Sequence, residues 1–112
     1  MIAPPKQLGD WPDRALDCEE AMEAAFVAVA DRLQAGGMTP EQAADEMIAA
    51  SADAGHAFAA DLRGIVVQAV SAGWREIDAA RGIVSLAENH RMAVDANRQT
   101  EREIRRAWGE PS

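Results

Sequence analysis

Alanine dominates the apolar composition of this chain and restricts the folds that are open to it. Of the 112 residues 25 are alanine, tyrosine is absent, and aromatic residues make up 4%. Alanine has the highest helix propensity, whereas strands favour β-branched and aromatic side chains. About 29 larger apolar residues remain to build a core, and single domains run to roughly 100–150 residues. We therefore predict one all-α domain.

Start and stop signals place the helix boundaries. The run Thr39-Pro40-Glu41-Gln42 combines a threonine cap, proline at the first helical position and glutamine at the third, which predicts the start of helix 2. Asp17 is the expected cap of helix 1, and Gly36-Gly37 its expected left-handed stop. Gly73 ends helix 3 in the same way, and helix 4 begins after Arg75.

The segment 40–72 is too long for a single helix in a small domain, since about 33 residues span about 50 Å. Periodicity alone leaves one helix or two open, and we place a break near Gly55. An internal repeat supports the break, because Ala35-Gly36-Gly37 aligns with Ala72-Gly73-Trp74. We predict a four-helix bundle made of two duplicated antiparallel helical hairpins, with a long C-terminal helix.

The two ends of the chain differ from the predicted bundle. Residues 1–12 contain three prolines and Gly9, which disfavour a helix, so we predict an irregular N-terminal arm. Ile2, Leu8 and Trp11 are its residues able to pack. Residues 13–108 form the predicted helical domain, and 109–112 a frayed tail.

The last helix is predicted to outrun its hairpin partner. If the second turn centres near residue 74, the segment 94–108 extends roughly 20 Å past helix 3. Its large apolar residues are Val94, Ile104 and Trp108, with polar residues between them at heptad spacing. Two interpretations remain open: the arm with Trp11 folds over this segment, or the segment contacts a partner protein or a second copy of the chain.

Net charge is −8 and is distributed unevenly. Residues 1–56 hold three basic and eleven acidic residues, whereas residues 57–112 hold eight of each. We predict that an acidic surface on helices 1 and 2 steers a basic protein, with a solvated face as the simpler alternative. The predicted partner-binding residues are Glu19, Glu20, Glu23, Glu41, Asp45, Glu46, Ile104 and Trp108, and Asp31 extends the acidic surface.

Several classes of function are disfavoured by composition. The negative charge repels nucleic-acid backbones, so direct nucleic-acid binding is not expected. No apolar run has the length of a membrane span or of a signal peptide, which predicts a cytoplasmic protein with no membrane contact. The single cysteine, Cys18, forms no internal disulfide, and recognised catalytic motifs are absent. We expect no enzyme and no cofactor.

One set of side chains is chemically able to bind a metal. With the first turn near residue 37, Cys18 falls level with His56, and the second turn places His90 opposite Phe58. The set that would then share one end of the bundle is Cys18, Asp53, His56 and His90. Spacing argues against a metal, since the Asp-x-x-His of helix 2 has no counterpart on helix 4. A ligand- or metal-binding bundle stays the alternative function.

Several short segments carry a resemblance to a known group of proteins. They are Leu16-Asp17-Cys18-Glu19, Ala72-Gly73-Trp74, Ser85-Leu86-Ala87-Glu88-Asn89-His90, Ala96-Asn97 and Thr100-Glu101. Together they resemble small acidic helical proteins of alphaproteobacteria, often found beside conjugative elements, which include quorum-sensing antiactivators. The likeness covers 16–104 and departs at Arg75, where such sequences carry a serine cap.

The resemblance implies a non-enzymatic inhibitor that binds and silences a transcription activator, and it transfers no defined binding residue. Charge asymmetry and the overhanging last helix favour the same general function. We therefore predict a regulatory protein-interaction module with a basic or DNA-binding protein partner. A structural homodimer joined along Val94, Ile104 and Trp108 is the second alternative.

Overall fold

The computed structural model describes residues 2–7 and 9–109, and four helices account for most of them. They are α1 (Arg14–Ala35), α2 (Pro40–Ala52), α3 (Ala59–Ala72) and α4 (Glu76–Ala107). No strand occurs in this part of the chain. The prediction of an all-α four-helix bundle with a long C-terminal helix is confirmed. Of the predicted tail 109–112, all but Gly109 lies outside the described residues.

The boundaries of α2 and α3 follow the sequence signals. The Thr39 hydroxyl accepts a hydrogen bond from the Gln42 amide (3.1 Å), and the Gln42 side chain accepts one from the Thr39 amide (2.9 Å), which completes the predicted capping box. Residues 53–58 separate the two helices, so the predicted break near Gly55 is confirmed. Gly73 ends α3 with φ +115°, a conformation that favours glycine.

The start of α1 corrects a prediction. The helix begins at Arg14 and not after Asp17, because the chain turns into the helix at Asp13, directly after Pro12. The Asp17 carboxylate, expected to cap the helix, instead accepts a hydrogen bond from the Trp11 indole (2.8 Å). This bond ties the N-terminal arm to the first turns of α1.

Helix directions place the contacts along α4. Arg14 bonds to Asp78 and Phe26 packs against His90, so α1 runs parallel to α4. Asp45 pairs with Arg91 and Glu41 lies near Arg98, so α2 runs antiparallel to α4. The α3 helix returns to α4 through the turn at 73–75 and also runs antiparallel to it. The pair α2 and α3 thus forms a broken rod beside the continuous α4.

The core is built from a few large side chains and many alanines. Cys18, Met22, Phe26 and Met47 are its largest fully buried residues. Alanines from all four helices are buried among them, which allows close helix packing. At Gly82 of α4 an added Cβ would lie 2.5 Å from the Met22 Cε, so glycine makes room for that side chain.

The N-terminal arm docks at the α3–α4 turn. The Trp74 indole donates a hydrogen bond to the Ala3 carbonyl (2.8 Å), and the rings of Trp11 and Trp74 lie 6.1 Å apart. Ile2 is buried beside them in the same core, whereas Leu8 lies outside the described residues. The expectation that the arm covers the end of helix 4 is wrong, because Trp74 holds the arm at the opposite end of the molecule.

Candidate functional site

The acidic residues predicted on α2 are engaged within the chain. Asp45 forms an ion pair with Arg91 of α4, and Glu41 lies 3.8 Å from Arg98. The Arg91 guanidinium donates a hydrogen bond to the Asp95 carboxylate (3.2 Å), and this bond, together with the charge of Asp45, raises the pKa of Arg91. These pairs join α2 to α4 and reduce the negative charge that α2 presents to solvent.

The acidic residues of α1 are more exposed. Glu19 accepts a hydrogen bond from the Asn89 amide of α4 (3.1 Å) and is partly buried. Glu20, Glu23 and Asp31 are exposed on the outer side of the helix, and no ion pair engages them within residues 2–7 and 9–109. The free negative charge of the first half of the chain is therefore concentrated on α1.

A shallow concavity follows the outer side of α1 and combines these acids with small apolar residues. We define the α1 acidic face by its lining residues, which are Glu20, Glu23, Ala24, Val27, Ala28 and Asp31. Val27 is 38% exposed and Leu16, one turn before Glu20, is 53% exposed. Leu16 and Val27 are not among the predicted partner-binding residues. Their signal in the sequence is weak, because isolated exposed apolar residues are common on helices.

The C-terminal part of α4 leaves the bundle. Val94 is the last buried residue of the helix, and every residue from 95 to 109 is exposed. We define the α4 extension as residues 95–108. Within it Ile104 is 52% exposed and Trp108 is 82% exposed. The predicted overhang is confirmed, and nothing from the described N-terminal arm covers it.

Arginines outnumber acids by one on the α4 extension. Its arginines are Arg98, Arg102, Arg105 and Arg106, and its acids are Asp95, Glu101 and Glu103. Arg105 and Arg106 lie in the last turn, where a positive charge also suits the helix dipole. The extension therefore presents exposed apolar residues beside positive charge, the reverse of the charge on the α1 acidic face.

The four side chains of the alternative metal site do not come together. Among the described residues no group of three histidine, cysteine, aspartate or glutamate side chains could hold a metal ion. His90 of α4 packs against Phe26 of α1. Cys18 lies near Asp78, and Asp53 accepts a hydrogen bond from the Gly55 amide (2.9 Å).

Both nitrogens of His56 are occupied. Its Nδ1 accepts a hydrogen bond from the Phe58 amide (3.1 Å), and its Nε2 lies 2.8 Å from the Glu46 carboxylate. Because Nδ1 is an acceptor, the ring proton belongs on Nε2, where it points to Glu46. Glu46, a predicted partner-binding residue, is thus used to hold the α2–α3 connection.

Of the remaining two side chains of that set, Cys18 is buried and His90 is partly buried. Burial, followed by the charges of Asp78 and Glu19, raises the pKa of the Cys18 thiol to about 11. A thiol with a raised pKa is a poor nucleophile at neutral pH. The ring of His90 meets Phe26 edge-on at 5.8 Å, and its Nε2 is buried with no hydrogen-bond partner among the described residues.

Comparison with protein-family models, with curated proteins and with solved structures found no match to this chain. Within residues 2–7 and 9–109, no helix is long and apolar enough to cross a membrane. Two surfaces of the chain are candidates for function, the α1 acidic face and the α4 extension.

Proposed function

We propose that the chain is a regulatory protein that acts by binding a basic protein, such as a transcription activator or another DNA-binding protein, through the α1 acidic face. One observation carries this proposal: Glu20, Glu23 and Asp31 surround the partly exposed Val27 on one continuous helix face. Carboxylates around a small apolar patch complement a basic surface that has an apolar centre.

The proposed binding surface is confined to the acidic residues of α1. Glu41, Asp45 and Glu46 face Arg98, Arg91 and His56, so we assign them to the stability of the bundle. Glu20, Glu23 and Asp31 have no such partner among the described residues. Their carboxylates are therefore available to a partner protein. Charge of this kind mainly accelerates association and selects the partner.

The resemblance to antiactivators of alphaproteobacteria supports a regulatory role. An antiactivator acts by contact with its target and needs neither a cofactor nor a catalytic residue. We accordingly propose binding without catalysis, in the cytoplasm, where a transcription activator works. Among the described residues, Cys18, Asp53, His56 and His90 form no group able to hold a metal ion, so the geometry favours protein binding over the metal-binding alternative.

Affinity capture from the host lysate tests the proposal with two matched triple variants. Glu20→Gln, Glu23→Gln and Asp31→Asn neutralise the α1 acidic face. Asp61→Asn, Glu76→Gln and Glu88→Gln remove the same charge from exposed positions on α3 and α4. We expect the wild type and the second variant to retain one basic protein near 0.15 M salt, where the Debye length is about 8 Å, and the first variant to lose it.

Salt gives a second readout of the same contact. At about 1 M salt the Debye length falls to about 3 Å, so a partner held by exposed charges should elute. A protein retained equally by the wild type and both variants would place the contact elsewhere on the molecule. Retention of no basic protein by the wild type at moderate salt would overturn the proposal.

A further inference from the structure

The α4 extension continues the buried stripe of its own helix past the end of the bundle. Leu86, Ala87 and Val94 of this stripe are buried against the other helices. Positions 97, 101, 104 and 108 follow Val94 at alternating spacings of three and four, which keeps them on the same side of the helix. Ile104 and Trp108 therefore face the direction in which the core lies, but beyond the last helix that could cover them.

The composition of this face is that of an interface and not of a solvated helix end. Tryptophan is enriched among the residues that contribute most to protein–protein binding. Trp108 is the most exposed of the large hydrophobic residues in the described part of the chain, at 82%. Ile104 and Trp108 lie about one helical turn apart and are presented together, with Arg105 beside them.

Pairing of two α4 extensions with each other is opposed by charge. Arg98 and Arg105 are seven residues apart and flank the same side of the apolar stripe. In an antiparallel pair of identical helices, Arg98 of one copy would meet Arg105 of the other, and in a parallel pair Glu101 would meet its own equivalent. Like charges directly opposite each other are destabilising, so a different surface must accept the extension.

The α1 acidic face has the complementary shape and charge. Its central positions are Ala24, Val27 and Ala28, whose small side chains leave space for larger ones. Glu23 and Asp31 border them with negative charge. We propose that the α4 extension of one copy of the chain docks on the α1 acidic face of a second copy, with Ile104 and Trp108 over the alanines.

The direction of the helices makes this contact reciprocal. Since α1 runs parallel to α4, and the extension projects past the C-terminal end of α1, a two-fold rotation sets each extension antiparallel to α1 of the other copy. The stretch from Arg102 to Trp108 spans about 9 Å and the stretch from Ala24 to Asp31 about 10 Å. Trp108 then lies near Ala24, and Arg102 near Asp31.

A closed dimer would also bury a larger interface area than a single helix contact. One helix-on-helix contact of this length is small compared with the roughly 1,200–2,000 Å² that specific interfaces bury. Two equivalent contacts related by a two-fold axis double the buried area and leave neither extension open. The dimer would occupy the same α1 acidic face that the proposed function assigns to a basic partner, so such a partner would have to displace the second copy. The purified chain alone tests the dimer, so its failure would leave the proposed function standing.

Charge exchange between the two surfaces is the decisive experiment. One variant carries Arg102→Glu and Arg105→Glu, and the other carries Glu23→Arg and Asp31→Arg. Each variant brings like charges together in a homodimer, but the two are complementary when mixed. By sedimentation equilibrium at low salt we expect a wild-type dimer, at least about tenfold weaker self-association of each variant, and a 1:1 heterodimer in the mixture.

Controls separate this contact from unfolding and from general charge effects. Arg81→Glu changes an exposed α4 residue outside the extension and should leave the dimer intact. Circular dichroism checks that each variant keeps its helix content, and Trp108→Ala should weaken the dimer at unchanged charge. A monomeric wild type at about 1 mM would overturn the inference. So would variants that dimerise as strongly as the wild type, or a mixture that fails to associate.

Discussion

At the scale of single residues, the pair between Arg14 and Asp78 locks one end of the bundle. The Arg14 Nε donates to the Asp78 carboxylate at 2.7 Å, and Asp78 is only 7% exposed. Arg14 also pairs with Asp10 of the arm, which lies 2.8 Å from Arg75 at the start of α4. This network joins the arm, α1 and α4, so its central arginine neutralises a carboxylate that water scarcely reaches.

Removal of that arginine should leave a buried charge without a partner. We expect Arg14→Met to lower the free energy of unfolding by roughly 3 kcal/mol, in the range found for broken buried pairs. Urea denaturation measures the loss, and Arg32→Met, at an exposed position of α1, serves as the control. The double variant Arg14→Met with Asp78→Leu should regain most of the loss. If Arg14→Met costs no more than Arg32→Met, the pair does not have this role.

The Cys18 thiol should make stability depend on alkaline pH. Burial, and then Asp78 and Glu19, raise its pKa from 9.0 to about 11 in the folded chain. Below pH 9 the thiol is protonated whether the chain is folded or not, and its full contribution to the free energy of unfolding is present. Between pH 9 and 11 the unfolded chain loses the proton first, so stability falls as pH rises.

Few other side chains titrate between pH 9 and 11, since the chain has no tyrosine and Lys6 is its only lysine. The free energy of unfolding of the wild type should decline more steeply from pH 9 to 11 than that of Cys18→Ala. A Lys6→Gln variant should keep the steep decline. Equal slopes for the wild type and Cys18→Ala would show that the thiol is not protected by the fold.

At the scale of helices, local signals fix most boundaries but not how the helices pair. Thr39 to Gln42 and Gly73 act within one turn, so their roles follow directly from the sequence. Asp17 does not cap α1, since the helix already begins at Arg14 and the Asp17 carboxylate is bonded to Trp11, a contact that depends on how the arm folds. A capping pattern in the sequence does not show that another side chain will bond to the capping residue.

The same limit applies to the candidate site. The acids of α1 and α2 have similar sequence surroundings, yet Asp45 meets Arg91, 46 residues later, while Glu20 meets no cation in the described part of the chain. The difference arises from the direction of each helix along α4, which charge patterns do not encode. The overhang of α4 was predictable, since it required only helix lengths and turn positions.

Two glycines inside helices should respond oppositely to alanine. At Gly64 of α3 an added Cβ meets nothing within 4 Å, so Gly64→Ala should stabilise the chain by about 0.5–1 kcal/mol through helix propensity. At Gly82 of α4 the added Cβ lies 2.5 Å from the Met22 Cε and 3.7 Å from the Glu19 Cα. Met22 is fully buried, and moving it should cost about 1–3 kcal/mol, more than propensity returns.

Thermal denaturation of the two variants side by side measures this difference. The expected order of melting temperature is Gly64→Ala, then the wild type, then Gly82→Ala. A Gly82→Ala chain as stable as the wild type would mean that the Met22 methyl group moves without loss. Leucine has no atom at the Cε position of methionine, so the double variant Gly82→Ala with Met22→Leu tests whether removing that methyl group restores stability. This rescue is needed only if Gly82→Ala alone destabilises the chain.

At the scale of the whole molecule, one end of the bundle is closed and the other is open. The molecule measures 56 × 31 × 21 Å, and α4 supplies most of the long dimension. At the closed end Trp74 and the arm cover the α3–α4 turn. At the open end the α4 extension continues without cover, and it carries positive charge, whereas the free negative charge lies on α1. The two ends of the molecule therefore differ in shape and in charge.

Because the core ends at Val94, removal of the α4 extension should separate folding from association. A chain stopped after Gln99 keeps Val94 and the Arg98–Glu41 pair, and all the described residues that it loses are exposed. An unsupported helix of so few residues is marginal in water, so it adds little to the bundle. We expect the free energy of unfolding to change by less than about 1 kcal/mol, the usual worth of exposed contacts.

Association should respond in the opposite way, since Ile104 and Trp108 are both removed. The shortened chain should sediment as a monomer at concentrations where the full chain is a dimer, while urea denaturation shows the small change in stability. The variant Ile104→Ser with Trp108→Ser, at full length, distinguishes the apolar contact from the loss of arginines. A loss of several kcal/mol on shortening would show instead that the extension folds back onto its own bundle, and the two surfaces would then belong to one molecule.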